Sequence, residues 1–155
     1  MTTLLRIGTR ESQLAVWQAQ KVKDLLSQHG YSSELVYIKS EGDLDLQTPL
    51  YQMGVQGVFT RSLDIALLNG RIDIAVHSMK DVPTQLPRGI AQAAVLPRGA
   101  HQDILVYKNP AVMDADALAS RAFVIATGSI RRRAQWLHRY PQHRMENLRG
   151  NVNTR

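Results

Sequence analysis

Apolar positions follow two different periods along this chain of 155 residues. Short apolar runs, which are typical of strands, cover residues 4–8, 33–39, 72–76 and 90–96. Longer stretches with apolar residues at helical spacing begin at Ser12 and Phe59, and Gly30 and Gly70 mark their ends. This alternation of strands and helices predicts an α/β fold with a mainly parallel sheet.

The same alternation restarts after a break at residues 97–101, where proline and glycine interrupt the pattern. The second part predicts further strands and helices at residues 104–107, 114–119, 122–126, 127–139 and 144–148. We therefore expect two domains, residues 1–97 and residues 98–155, of which the second α/β domain is incomplete. We expect such a sequence to be a fragment, a truncated paralogue or half of an assembly, and an open sheet edge predicts self-association.

Composition narrows the class of protein. The sequence has no cysteine, which excludes disulfides, a thiolate nucleophile and thiolate metal ligands, and we expect no metal site. A hydrophobic fraction of 44% is enough for a packed core. No apolar run approaches the roughly 20 residues of a membrane helix, and the first residues lack the apolar region of a secretory signal. We expect a cytoplasmic protein without a membrane partner.

The net charge of +6 is concentrated at one end of the sequence. Residues 129–155 contain seven arginines and one acid, whereas residues 1–128 contain twelve basic and twelve acidic side chains. The guanidinium group of arginine binds carboxylates and phosphates through two parallel hydrogen bonds, which lysine cannot do. The charge pattern therefore favours an anionic ligand, with a solvated basic helix or a nucleic-acid patch as the alternatives.

The most informative polar side chains follow the apolar run at residues 72–76. His77, Ser78, Lys80 and Asp81 arrive together, and a proline stiffens the turn after them. In open α/β sheets, ligands bind at the carboxyl ends of the strands. Asp81, the one acid placed among these basic groups, is expected to accept hydrogen bonds from ligand N–H groups and to stabilise a developing cation. The alternatives are an ordinary surface turn, or a salt bridge from Asp81 to Lys80 or to an arginine.

Further polar groups follow other predicted strands. Thr127 and Ser129 lead into a helix with Arg131 and Arg132 in its first turn, where backbone N–H groups and the helix dipole favour an anion. Three more arginines stand at or beyond strand ends, namely Arg10, Arg149 and Arg155. We expect a ligand with several carboxylates held between two lobes, with an ordinary helix cap and solvated arginines as the alternative.

Other chemically interesting side chains carry no recognisable motif. The histidines at positions 29, 101, 138 and 143 lack the spacing of metal ligands, and we expect them at the surface. Trp17 and Trp136 lie on apolar helix faces and are expected in the core.

Taken together, these motifs resemble the porphobilinogen deaminase (hydroxymethylbilane synthase) family over essentially the whole chain. The most specific match is the run from Asp73 to Pro83, DIAVHSMKDVP. Further matches are RIGTRES at residues 6–12, TPL at 48–50, GVF at 57–59, TGSIRR at 127–132 and LRGNVNTR at 148–155. Several separate motifs in the same order argue against a chance resemblance.

The resemblance implies a three-domain fold whose first two domains are like type II periplasmic binding proteins. It implies the joining of four porphobilinogen molecules into hydroxymethylbilane, with release of ammonia, on a covalently held dipyrromethane cofactor. Asp81 would then contact pyrrole nitrogens and stabilise an azafulvenium-like cation. The carboxylates of the substrate and of the polypyrrole chain would be bound by Arg10, Arg131, Arg132, Arg149 and Arg155. The groups that help to hold the cofactor or the chain would be Ser12, Ser78, Lys80, Thr127 and Ser129.

Three features depart from the family pattern. The family attaches its cofactor to a cysteine in the third domain, and both that cysteine and that domain are absent from these 155 residues. The glycine-rich segment carries Gln52 and Gln56 where the family has lysines, and it lacks one of the usual glycines. We therefore expect the chain to be inactive by itself.

Two other functions compete with a deaminase. A non-catalytic paralogue would bind pyrrole carboxylates or another small anion, which the loss of the two lysines favours. A nucleic-acid partner would require salt-dependent binding through the arginine-rich end. We do not expect that partner, because this end lacks exposed aromatic side chains for base stacking.

Overall fold

The computed structural model describes residues 4–40, 59–107 and 115–155. The chain divides into two compact units, Met1–Ala91 together with Gly150–Arg155, and Gln92–Arg149. The helices and strands of the first unit are β1 Leu5–Thr9, α1 Gln13–Gln28, β2 Ser33–Tyr37, α2 Arg61–Leu68 and β3 Ile74–Ala75. Those of the second unit are α3 Ala115–Ser120, β4 Val124–Ala126, α4 Ile130–Arg139 and β5 Arg144–Glu146. In the described parts of the chain, no helix is both long and apolar enough to span a bilayer.

The first unit contains a three-stranded parallel sheet with the order β2-β1-β3. In the central strand, Ile7 is opposite Leu35 on one side and Ile74 on the other. Helix α1 connects β1 to β2, which is the connection that parallel neighbours need. The second unit pairs β4 with β5, also in parallel. The predicted α/β fold with parallel strands is thus confirmed.

The core of the first unit lies where α2 packs on the sheet. Its buried cluster consists of Ile38, Leu63, Ala66 and Ile72. Gly8 of β1 faces this cluster so closely that a Cβ atom there would lie 2.3 Å from Ile72 Cδ1 and 2.8 Å from Leu63 Cδ2. Glycine at this position therefore allows the last residues of β1 to pass directly against the core.

Helix α1 begins and ends where the sequence predicts, and α2 ends where predicted but begins two residues after Phe59, at Arg61. The Ser12 hydroxyl accepts a hydrogen bond from the backbone N–H of Ala15 at 3.4 Å, and so caps α1. Each helix ends in a Schellman motif, with Gly30 at φ 83° after α1 and Gly70 at φ 65° after α2. The prediction for Trp17 is wrong, because α1 buries Ala15 and Ala19 against the sheet and leaves Trp17 61% exposed.

Two of the predicted strands are absent from the described residues. Residues 90–96 and 104–107 form no helix or strand, and Ile104 and Val106 are each 83% exposed. An apolar run supplies strand propensity, but a strand also needs a partner for its backbone N–H and C=O groups. In the described part of the second unit, β4 and β5 pair with each other and leave these segments unpaired.

The prediction that His143 lies at the surface is also wrong, because this residue is only 4% exposed. Its Nδ1 accepts a hydrogen bond from the Trp136 indole N–H at 3.0 Å. Nε2 therefore carries the proton, and it lies 3.0 Å from the carbonyl oxygens of Leu118 and Arg121. His143 thus ties α4 to the carboxyl end of α3. Trp136, predicted in the core, is half-buried beside it.

Candidate functional site

In the first unit, the carboxyl ends of β1 and β3 lie side by side. The two strands are parallel neighbours, and the backbone N–H of Val76 still bonds the Gly8 carbonyl oxygen at 3.1 Å. Arg10 follows β1, and a 3₁₀ turn at Met79–Asp81 follows β3. Because both segments leave the same edge of the sheet, Arg10 and the polar residues 77–81 are brought into one neighbourhood.

Two hydroxyl groups at this edge have structural partners. Ser12 caps α1, as described above. The Ser78 hydroxyl donates to Gln18 Oε1 at 3.0 Å, which fastens the 3₁₀ turn to the second turn of α1. Both serines therefore hold the backbone of the site in place.

The Asp81 carboxylate is the half-buried acid of this edge. Its backbone N–H bonds the Ser78 carbonyl oxygen at 2.9 Å, and Pro83 follows directly after Val82, so the turn is fixed. Among the described residues, no hydrogen bond or ion pair engages the Asp81 side chain, and Lys80 is exposed without joining it. Among the described residues, Asp81 therefore forms no salt bridge to Lys80 or to an arginine.

Arg10 is held by an aromatic ring. Its guanidinium carbon lies 4.1 Å from the centroid of the Phe59 ring, within the range of a cation–π contact. Phe59 thus holds the Arg10 guanidinium at the end of β1.

His77 belongs to the same neighbourhood, although no specific role was predicted for it. Partial burial lowers the pKa of His77, with Asp64 and Asp81 acting against this shift and Arg10 adding to it. Its Nε2 is buried and has no hydrogen-bond partner in the part of the chain that the structure describes. The lowered pKa keeps the ring neutral at pH 7. Its place directly after a strand was the only signal in the sequence.

In the second unit, the turn between β4 and α4 carries the polar residues. The backbone N–H of Ser129 donates to the Thr127 hydroxyl at 3.2 Å, and the Ser129 hydroxyl accepts from the Arg132 N–H at 3.4 Å. A Cβ atom on Gly128 would lie 2.6 Å from the Leu148 carbonyl oxygen. The turn therefore passes tightly against the chain that leaves β5, next to the half-buried Arg149.

Arg132 has an acidic partner that the sequence did not predict. Its Nε–H donates to Asp103 Oδ2 at 2.8 Å, and its Nη2–H donates to Asp103 Oδ1. The Arg132 hydrogen bond is the main cause that lowers the pKa of Asp103, and the charge of Arg131 adds to it. Asp81 is thus not the one acid among the basic groups. No local motif marks Asp103, which lies 29 residues before its partner.

The last six residues return to the first unit. Gly150 adopts φ 104°, and the side chain of Asn153 donates to Gln13 Oε1 in the first turn of α1. Arg155 is exposed at the end of this segment. The segment therefore lies beside the start of α1, which Ser12 caps and which follows Arg10 closely in the sequence. Gln52 and Gln56 lie outside the described residues.

The fold and these residues define a class, an α/β protein that gathers basic side chains and an unbonded carboxylate at strand ends. Comparison with known proteins gives the family. The family model described as "Porphobilinogen deaminase, dipyromethane cofactor binding domain" matches residues 5–155, and the chain belongs to this family.

Two curated relatives extend the match. The chain is 45% identical over 151 residues to a probable porphobilinogen deaminase of Thermoplasma acidophilum. It is 46% identical over 152 residues to a probable porphobilinogen deaminase of Methanocaldococcus jannaschii. These alignments cover 97% and 98% of this chain. The chain spans about half the length of both relatives, 50% in each case.

The first unit fits the chemistry of a dipyrromethane, which combines pyrrole N–H donors with carboxylate side chains. The half-buried Asp81 carboxylate, which has no hydrogen bond or ion pair among the described residues, can accept N–H groups, and the guanidinium of Arg10 and the exposed ammonium of Lys80 are groups of the kind that bind carboxylates. The donor set of this edge is thus complementary to the cofactor that the family model names.

Proposed function

We propose that this chain provides the cofactor- and substrate-binding part of a porphobilinogen deaminase (hydroxymethylbilane synthase), a transferase of tetrapyrrole biosynthesis. The reaction joins four porphobilinogen molecules into hydroxymethylbilane and releases ammonia. The observation that carries the proposal is the half-buried Asp81 carboxylate, which lies in the 3₁₀ turn after β3 and has no hydrogen-bond or ion-pair partner among the described residues. Asp81 and Arg10 both act on the charge of His77 in this neighbourhood.

Asp81 acts by electrostatic stabilisation. Loss of ammonia from porphobilinogen leaves a cation delocalised onto the pyrrole nitrogen, and a fixed carboxylate beside that nitrogen accepts its N–H and lowers the energy of the cation. Because the turn already fixes the backbone that carries Asp81, little reorganisation of the chain is needed when the charge develops. Neutral His77, which interacts electrostatically with Asp81, adds no competing positive charge.

Arginines recognise the acetate and propionate groups. Arg10 in the first unit and Arg131 and Arg132 in the second bind carboxylates through charge-assisted hydrogen bonds. Arg149 and Arg155 extend this set, and Thr127 and Ser129 hold the helix start that carries two of the arginines. When bound, the dipyrromethane supplies the pyrrole terminus to which porphobilinogen is added.

The two units correspond to the first domain and part of the second domain of a fold like type II periplasmic binding proteins. The protein works in the cytoplasm on soluble pyrroles. The 155 residues alone bind porphobilinogen but do not turn it over, because they contain no cysteine to hold the cofactor.

A second candidate is a non-catalytic paralogue that binds pyrrole carboxylates. Gln52 and Gln56, in place of the two lysines of the family, favour it because neutral amides hold carboxylates less strongly than lysine does.

The two candidates are distinguished by adding the half of the relatives that this chain does not cover. The 155-residue chain is mixed with the C-terminal half of a relative that carries the cofactor cysteine, and hydroxymethylbilane formation is measured. A deaminase part gains turnover that Asp81→Asn abolishes while binding of porphobilinogen persists. Binding without turnover in every mixture supports the paralogue, and turnover by the 155 residues alone contradicts the predicted inactivity.

A further inference from the structure

Asp103 and Arg132 form an ion pair in the described part of the second unit. Two parallel hydrogen bonds join them, from Nε to Oδ2 at 2.8 Å and from Nη2 to Oδ1. Asp103 lies in the segment at residues 92–107, which has no helix or strand, whereas Arg132 is in the first turn of α4. This pair therefore connects an irregular segment to the helix that follows the Thr127–Ser129 turn.

The bonded atoms show which edge of the guanidinium remains available. Arginine has five N–H donors, and two of them share each edge. Asp103 occupies the side edge formed by Nε and Nη2. The end edge formed by Nη1 and the second Nη2 hydrogen can still take a carboxylate through two parallel bonds. The side chain of Arg132 is 56% exposed, so a ligand can reach that edge from solvent.

We propose that Asp103 is a positioning residue, which orients Arg132 so that its end edge receives a ligand carboxylate. This inference rests on the proposed function, since it takes Arg132 as a carboxylate-binding group. An arginine side chain loses considerable rotamer freedom when it binds, and a partner that fixes it beforehand removes part of that cost from binding. Asp103 itself touches no substrate.

The exposure of the pair argues against a role in folding alone. The side chains of Arg132 and Asp103 are 56% and 60% exposed, and exposed ion pairs contribute little to stability. The competing functional idea is that Asp103 blocks Arg132 and must leave before a ligand binds. A blocking carboxylate would occupy the end edge, whereas Asp103 occupies the side edge.

A double-mutant cycle separates these ideas, with porphobilinogen as the probe and its dissociation constant measured by calorimetry. We expect Asp103→Ala to weaken binding by roughly 3- to 30-fold, which lies within the usual range for coupled neighbours. In the Arg132→Ala background the same change should alter the affinity by less than about twofold, because the residue acts through Arg132. Asp103→Asn, which keeps one acceptor, should lie between wild type and Asp103→Ala.

Arg131→Ala provides the matched control, since this neighbouring arginine of the same helical turn donates no hydrogen bond to Asp103. The full effect of Asp103→Ala should persist in that background. Equal weakening in the Arg132→Ala background would show a structural role and overturn the inference, and tighter binding by Asp103→Ala would show a blocking carboxylate. Two other results would instead contradict the proposed function. These are a wild-type protein that does not bind porphobilinogen, and an Arg132→Ala variant that binds it with unchanged affinity. Far-UV circular dichroism verifies that each variant is folded.

Discussion

Arg6 and Asp73 bind each other through both backbone and side chains. The backbone N–H of Arg6 and its Nε and Nη2 donate to the Asp73 carboxylate at 2.8–2.9 Å, and the Asp73 N–H donates to the Arg6 carbonyl oxygen at 2.8 Å. The pair fixes β1 against the chain that enters β3. Because these strands are parallel, the same register brings Arg10 and the 3₁₀ turn together at the other end.

This pair predicts a specific response to acid. The Arg6 hydrogen bonds lower the pKa of Asp73 from 3.8 to about 2. The unfolded chain therefore takes up this proton before the folded chain does, so the stabilisation is complete above about pH 4 and is lost as the pH falls towards 2. The thermal midpoint measured between pH 5 and 2 should drop in that window, and Asp73→Asn should flatten the drop. Glu11→Gln is the control variant. An Asp73→Asn protein whose thermal midpoint falls with acid as steeply as that of the wild type would contradict this.

The Trp136–His143 bond predicts a difference between two tryptophans. Trp136→Phe removes the N–H that His143 Nδ1 accepts and leaves that atom buried, which should lower the free energy of unfolding by about 1–2 kcal/mol. Trp17→Phe is the control, because Trp17 is 61% exposed. Urea unfolding followed by far-UV circular dichroism measures both. Equal losses in the two variants would mean that the indole hydrogen bond does not stabilise the second unit.

Gly128 predicts that the β4–α4 turn tolerates no side chain. A Cβ atom there would lie 2.6 Å from a backbone oxygen, that of Leu148, so the turn or the chain after β5 must move. We expect Gly128→Ala to destabilise the protein by roughly 1–3 kcal/mol. Gly99→Ala, in the same unit, has no atom within 4 Å of the added Cβ and should be neutral. Matching thermal midpoints for the two variants would show that the turn is looser than described.

The Phe59 ring predicts an effect on binding more than on folding. Phe59→Leu keeps an apolar side chain but removes the ring over which Arg10 lies at 4.1 Å, a contact worth about 0.5–1 kcal/mol at an exposed site. The dissociation constant for porphobilinogen should therefore rise by roughly two- to fivefold. Tyr31→Leu removes an exposed ring at the other end of the sheet and should leave binding unchanged. Identical binding by both variants would exclude a role of the ring in holding Arg10.

Local signals in the sequence predicted the helices and their ends well. Ser12, Gly30 and Gly70 are confirmed as start and stop residues, because a cap or a left-handed turn depends on the few residues around it. The strand ends that carry Arg10 and Asp81 followed from short apolar runs in the same way.

Features that depend on partners distant in the sequence were not predicted. His143 is buried because Trp136 and two carbonyl oxygens from α3 and just after it converge on it, and no spacing in the sequence shows that. Asp103 gives no signal either, since only the fold brings it to Arg132. The unpaired runs at residues 90–96 and 104–107 show the reverse error, in which apolar residues predict strands that lack partners among the described residues.

The central claim is that arginines at strand ends recognise the carboxylates of a pyrrole. It is tested most directly by titrating the chain with porphobilinogen and, separately, with its dimethyl ester, in which both carboxylates are neutral while the ring is unchanged. Because each charge-assisted hydrogen bond contributes about 1.5–3 kcal/mol, the ester should bind at least about tenfold more weakly than the acid. Equal affinity for acid and ester, or no binding of the acid, would contradict the account.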